Sequence, residues 1–135
     1  MALYNIFLVK YYGAMKELTT LILTLFTTLA LANSLQGTVT YKDKKAQGVL
    51  FIFAKKFDGS MPMPLAVKRV ENPTFPYKFE LSEKDKMIQS LPFKGPFKVF
   101  ARLSKSGNVM DKSGPQAQTV KSLDLGAKNI LLEIK

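Results

Sequence analysis

The stretch GVLFIFA at residues 48–54 is the strongest indicator of fold class, because six apolar residues follow Gly48 without a polar break. An apolar run of this length indicates a β-strand that is buried on both faces, as in the centre of a sandwich. Residues 97–103 alternate instead, which is the period of a strand and not of a helix. The alternation separates two sets of side chains: Phe97, Val99, Ala101 and Leu103 on one side, and Lys98, Phe100 and Arg102 on the other.

Further strand-like segments lie on both sides of these two stretches. Strand patterns occur at residues 37–41, 65–70, 77–81 and 130–134, and a short strand is expected at residues 118–123. Loops are expected at residues 57–64, 82–96, 104–108 and 109–118, with Ser82 capping one short helical turn. Six or seven short strands separated by turns predict an all-β fold, an antiparallel sandwich of two facing sheets.

The N-terminal segment has the pattern of a secretory signal peptide. Lys16 precedes the apolar stretch LTTLILTLFTTLALA at residues 18–32, which ends in a small-residue Ala-x-Ala site. The stretch is shorter than the roughly 20 residues of a membrane-spanning helix. We therefore expect a signal helix in residues 1–32, with Met15 as the better start, followed by an exported domain at residues 33–135 in the periplasm. The alternative is an uncleaved anchor that keeps the domain on the membrane.

Composition excludes several classes of site. The chain contains neither Cys nor His, which excludes thiol nucleophiles, histidine general bases and the usual zinc sites. The formal charge is +10, and removing residues 1–32 leaves 18 basic and 9 acidic residues. A basic domain favours an anionic partner. Nucleic acid is disfavoured, because the domain is predicted to be exported and its aromatic residues alternate towards a core. A non-enzymatic binding module without a cofactor is the expectation.

Two motifs carry a resemblance to a known family. Residues 63–69, MPLAVKR, and residues 101–108, ARLSKSGN, follow one another in the order found in the Ig-like C-terminal module of CycH-type c-type cytochrome biogenesis factors. The resemblance runs from about Gly37 to the C-terminus. It implies an Ig-like sandwich in the periplasm that helps to deliver apocytochrome to the haem-ligation machinery.

The sequence also departs from that family. The tetratricopeptide helices that usually precede the module are not found in these 135 residues. The family's acidic segment before a methionine is here Glu83-Lys84-Asp85-Lys86-Met87, which is of mixed charge. The sandwich could therefore keep its fold with a different partner.

The motifs contain the residues that we expect to hold a partner, which the resemblance indicates to be cytochrome c maturation proteins or apocytochrome c. They are polar or basic residues of the two motif strands and of the turn after the second: Lys68, Arg69, Arg102, Lys105 and Asn108. If the two motif strands are neighbours, their basic side chains form one strip that suits the carboxylates of haem propionates or of an acidic peptide. The alternative is an ordinary solvated face of a basic domain.

Three other hypotheses come from the residue types. Thioethers select Cu(I), so Met61, Met63 and Met87, which like Met110 lie in or near expected loops, could form a carrier site. The alternative is that these methionines fill gaps in the packing. Ser104 and Lys105 could in principle form a Ser–Lys pair, but a polar turn with Gly107 or Asn108 at positive φ is favoured. A structural or adhesive role in the cell envelope is the third.

Overall fold

The structure is a computed structural model that describes residues 33–135, and within them nearly all regular structure is β. Seven strands and one 3₁₀ turn, Glu83–Asp85 with Ser82 as its N-cap residue, follow the chain in order. The strands are β1 (Leu35–Thr40), β2 (Val49–Lys56), β3 (Ala66–Glu71), β4 (Tyr77–Leu81), β5 (Phe97–Ser104), β6 (Gln116–Gln118) and β7 (Ile130–Glu133). No helix in residues 33–135 has the length and apolar character needed to cross a bilayer. The expected signal peptide, and Met15 with it, lies outside the described residues.

The strands form the two sheets that the alternation predicts. One has three strands in the order β4-β1-β7, and the other has four in the order β3-β2-β5-β6. This arrangement confirms an all-β, Ig-like sandwich. All pairs are antiparallel except β1 with β7, which is parallel. A parallel pair requires a long connection, and residues 41–129 supply it.

The core lies between the facing sheets. On β5, the side predicted to be apolar is buried: Phe97, Val99, Ala101 and Leu103 are at most 1% exposed. The smaller sheet adds Leu35 and Val39 from β1, and further apolar residues from β4 and β7, to the same cluster. One period-two pattern therefore fixes which face of each strand meets the opposite sheet.

Strand β2 is buried on both faces, as its apolar run predicts. Leu50, Ile52 and Ala54 face the core and are fully buried. The opposite face carries a second small cluster, Val49, Phe51 and Phe53, at 4–6% exposure. No further sheet covers that second cluster within the described residues. Side chains of the flanking strands cover it instead.

Two expected boundaries near β6 are wrong. The strand lies at Gln116–Gln118, inside the expected loop, and not at residues 118–123. Pairing ends at Thr119, whose hydroxyl accepts the Val99 N–H at 3.1 Å in place of a carbonyl. The chain then returns to β5 only as a bridge between Leu123 and Phe97. This side-chain bond between two distant segments replaces a backbone bond of the ladder, and apolar periodicity does not report it.

The centre of the smaller sheet tolerates no side chain at one position. Gly37 lies on β1 between Phe79 of β4 and Ile130 of β7. A Cβ there would lie 2.3 Å from the Ile130 carbonyl oxygen and 2.8 Å from the Phe79 ring. The close approach of three strands therefore requires glycine.

Candidate partner-binding surface

The outer face of the larger sheet combines aromatic rings with cations. We call it the aromatic–cation face, and define it by Phe51, Phe53, Lys55, Arg69, Lys98, Phe100 and Arg102. Strand register arranges these residues in rows across the sheet. Arg69 and Arg102 both pair with Phe51, one from each neighbouring strand. Phe100 pairs with Phe53 in the next row, and Lys98 pairs with Lys55 in the row after it.

The middle row is an aromatic stack. The Phe53 and Phe100 rings lie 5.1 Å apart between centroids, with an angle of 7° between their planes. The Lys55 ammonium lies 5.4 Å from the Phe100 centroid and 5.6 Å from that of Phe53. Lys98 approaches Phe100 at 5.7 Å, and the Arg102 guanidinium carbon approaches Phe53 at 5.6 Å. The charged groups of these side chains therefore lie within cation–π distance of the two rings.

The two arginines are held differently. Arg102 donates from Nε to Gln116 at 3.3 Å and from a terminal nitrogen to the Val109 carbonyl at 2.9 Å. These bonds fix its guanidinium between β6 and the loop after β5. Arg69 pairs with Glu71 on its own edge strand, and its side chain is 52% exposed. Arg102 is thus preorganised, whereas Arg69 has a weak surface partner that another carboxylate can replace.

The face is strongly unbalanced in charge. The face carries four cations, Lys55, Arg69, Lys98 and Arg102, with the carboxylate of Glu71 beside Arg69. Asp111 lies in the loop after β5, where hydrogen bonds from Ser113 and, to a smaller extent, the positive charge of Arg102 lower the pKa of its carboxyl. The surface therefore presents a net positive field over an apolar centre, which suits a partner with carboxylates.

The structure separates the five residues predicted for partner binding. Arg69 and Arg102 lie on the aromatic–cation face, with Phe51 between them. The two motif strands are not neighbours, because β2 separates them, so the expected single strip of adjacent strands is wrong. Lys68 points to the other side of the sheet and donates to the Glu80 carbonyl of β4 at 2.8 Å. Lys105 and Asn108 lie in the exposed turn after β5.

Sequence reasoning missed the residues that complete the face. Lys55 and Lys98 were not singled out, and Phe53 was treated only as part of an apolar run. The period of two within that run could have identified Phe53 and Lys55, because every second residue, from Val49 through Phe51 and Phe53 to Lys55, lies on the same face of the strand. Phe100 was expected to point outward, and it does so, but the Phe53 stack and two lysines half-bury it.

The turn after β5 is held by its own polar groups. Ser104 is fully buried, and its hydroxyl donates to the Asn108 carbonyl at 2.9 Å. Gly107 takes the positive φ of 77°, which the turn interpretation required of Gly107 or Asn108. Lys105 is exposed to solvent and is not among the partners of that hydroxyl. This arrangement favours a structural turn over Ser–Lys chemistry.

Asp111 organises the following loop. Its carboxylate accepts hydrogen bonds from the Ser113 hydroxyl at 2.6 Å and backbone N–H at 3.0 Å, and from Ser106 at 3.0 Å. These bonds, those of Ser113 foremost, lower the pKa of the Asp111 carboxyl below its usual value.

The methionines proposed for Cu(I) occupy different environments. Met61 is half-buried and packs against the core, whereas Met63 and Met87 are 47% and 51% exposed. The last two belong to neighbouring loops, since the Met87 N–H donates to the Leu65 carbonyl at 3.1 Å. Met110 follows β5 at the opposite end of the sheet. Within residues 33–135, no group of three acidic, Cys or His side chains is placed to hold a metal.

Comparison with known proteins gives a family match. The model of the family described as "Cytochrome c-type biogenesis protein H Ig-like domain" matches residues 25–135. The cytochrome c-type biogenesis protein CycH of Pseudomonas aeruginosa is 38% identical over 68 residues, which are 49% of this chain and 16% of that protein. An uncharacterized protein of Aquifex aeolicus is 32% identical over 73 residues, 54% of this chain and 49% of that protein. The chain thus spans half or less of these relatives.

A solved structure also shows a weak likeness. It is an alternative pilotin from the type II secretion system of Vibrio cholerae, with a TM-score of 0.45 and 14% sequence identity. The alignment covers 75% of this chain and 93% of the pilotin chain. A TM-score this low supports no inference about fold or function.

Proposed function

Because the chain belongs to the family of the cytochrome c-type biogenesis protein H Ig-like domain, we propose that it is an accessory module of c-type cytochrome biogenesis. It acts in the periplasm, without catalysis, by binding cytochrome c maturation proteins or apocytochrome c. The periplasmic location is supported by the signal-peptide pattern of residues 18–32. A binding role is supported by a composition that lacks the side chains used most often for catalysis and metal ligation.

The aromatic–cation face is the observation that carries the proposal. It offers four cations around an aromatic stack, and one of them, Arg69, is half-exposed and held only by a surface ion pair. Aromatic residues and arginine are the groups that contribute most to protein–protein interfaces. A face that is apolar at its centre and charged at its rim has the same general layout as such an interface.

Co-purification tests this function with a matched pair of variants. The tagged full chain is captured from cells that make c-type cytochromes, and bound apocytochrome and haem-ligation proteins are quantified. The test variant combines Arg69→Gln with Arg102→Gln. The control combines Lys78→Gln with Lys128→Gln, which removes equal charge from exposed positions that do not belong to the aromatic–cation face.

We expect wild type and control to retain the maturation proteins and the test variant to lose most of them. Equal capture by wild type and an unrelated basic protein would remove the proposal. Separate fractionation of periplasm and cytoplasm checks the location, and a cytoplasmic protein would contradict it.

A further inference from the structure

The spacing of cations on the aromatic–cation face specifies the kind of partner that fits it. We propose that this face docks an amphipathic helix of a partner polypeptide, in which carboxylates flank an apolar residue. The proposal rests on the binding function above and adds the partner's chemistry and conformation.

The cations lie on both sides of the aromatic row. On β5, Arg102 and Lys98 are separated by four residues with Phe100 between them, and Lys55 extends the lysine row on β2. A strand rises about 3.3 Å per residue, so the arginine and lysine rows lie about 13 Å apart along the strands. A matching partner places one carboxylate near each row and an apolar side chain against the exposed part of Phe100.

The charge pattern selects carboxylates as the complementary group. Arg69 and Arg102 flank Phe51 from neighbouring strands, so their guanidinium groups approach one row from two sides. Guanidinium groups bind carboxylates through paired hydrogen bonds. Arg102 already uses two donors to Gln116 and Val109, which fixes its orientation and leaves other donors for a partner.

Backbone hydrogen bonding selects a helix over an extended segment. Strands β2 and β5 are each paired on both edges, so the centre of the face has no backbone groups to offer. An extended peptide laid across it would leave its own backbone groups without protein partners, whereas a helix satisfies them internally. At about 1.5 Å per residue, carboxylates seven or eight positions apart span the two rows, with apolar residues three or four positions from each.

A polypeptide fits this face better than an anionic membrane does. Phe51 and Phe53 are only 5% and 4% exposed, and Phe100 is half-buried beneath two lysines. Membrane-surface binding buries exposed apolar residues below the headgroups. Only part of Phe100 stays exposed beside the lysines, which is too little apolar surface for insertion below the headgroups but can contact one apolar side chain of a partner.

Fluorescence anisotropy with synthetic peptides tests the inference on the full chain. The probe is a labelled helical peptide with Glu at positions seven or eight apart and Leu between them. Matched peptides replace both Glu by Gln or by Lys. Vesicles of anionic lipid form a separate arm. Chemical denaturation of each protein variant confirms that it is folded before binding is measured.

We expect the Glu peptide to bind and the Gln peptide to bind at least about tenfold more weakly, because each lost charge pair weakens binding about 3- to 10-fold. Combining Arg69→Gln with Arg102→Gln should weaken the Glu peptide by about tenfold or more. The control pair Lys78→Gln and Lys128→Gln should leave it within about twofold, since it changes charges away from the face.

Equal affinity for Glu and Gln peptides would overturn the inference, as would equal binding by the arginine and control variants. Binding to anionic vesicles without binding to the Glu peptide would also overturn it. If the peptides fail while maturation proteins still co-purify, this inference is wrong and the proposed function stands. If the peptides bind but no maturation protein co-purifies, the partner chemistry stands and the proposed function is wrong.

Discussion

The substitution Phe100→Leu tests whether ring stacking and cation–π contacts stabilise the aromatic–cation face, or whether any apolar side chain at this position is sufficient. Leucine keeps an apolar side chain over Phe53 but removes the ring. The parallel stack with Phe53 at 5.1 Å is lost, together with the approach of Lys55 and Lys98 to the ring. The core side of β5 is untouched, because Phe100 points away from it.

The expected loss follows from these contacts. An aromatic pair contributes about 0.5–1.5 kcal/mol beyond its buried area. Each partly exposed cation–π contact contributes about 0.5 kcal/mol. With two such cation contacts on the Phe100 ring, we therefore expect Phe100→Leu to lower the free energy of unfolding by about 1.5–2.5 kcal/mol. In a domain of this size each kcal/mol lowers Tm by about 4–8 °C.

Urea denaturation of the full chain measures this loss, and a double-mutant cycle with Phe53→Leu isolates the stack. The coupling free energy between the two rings should be about 0.5–1.5 kcal/mol. Val120→Ala is the control, since Val120 is 87% exposed, and it should change stability by less than about 0.5 kcal/mol. A loss below about 0.3 kcal/mol together with zero coupling would refute the assignment of stabilising contacts to this face.

Three further changes test other parts of the structure. Gly37→Ala should lower the free energy of unfolding by at least about 1–3 kcal/mol, because the alanine Cβ would lie 2.3 Å from the Ile130 carbonyl oxygen. Unchanged stability in urea denaturation would contradict this close approach. Lys86→Met should lower the free energy of unfolding by about 1–3 kcal/mol, because the ammonium of this 8%-exposed side chain donates to two loop carbonyls. Glu83→Gln removes only the 75%-exposed ion-pair partner of Lys86 and should lower it by under about 1 kcal/mol. The Ser113 hydroxyl is the main cause that lowers the pKa of the Asp111 carboxyl from 3.8 in the folded protein. The ionised carboxylate therefore stabilises the fold above its usual pKa, and this stabilisation is lost as the pH falls through the lowered pKa. NMR titration should therefore give a midpoint below 3.8 that rises in Ser113→Ala, and an unshifted midpoint would contradict the hydrogen bonds.

The candidate face was only half predictable from the sequence. Arg69 and Arg102 stood out because they belong to the two family motifs, and alternation correctly placed Arg102 and Phe100 away from the core. Alternation also placed Lys98 on that side, although neither it nor Lys55 was among the predicted binding residues. Lys55 ends a run that is apolar on both faces, which hides its period of two. The Phe53–Phe100 stack joins residues 47 positions apart, and only strand register aligns them.

The sequence by itself determined that the chain is all-β, which side of each alternating strand is buried, and that both faces of β2 are buried. These follow from the period of two and from unbroken hydrophobicity, which are local properties of the chain. Only the tertiary structure decided that β1 and β7 pair in parallel, that β2 separates the two motif strands, and that four cations surround one aromatic stack. Strand order and register depend on contacts between distant segments, and a local pattern gives each strand its faces but not its neighbours.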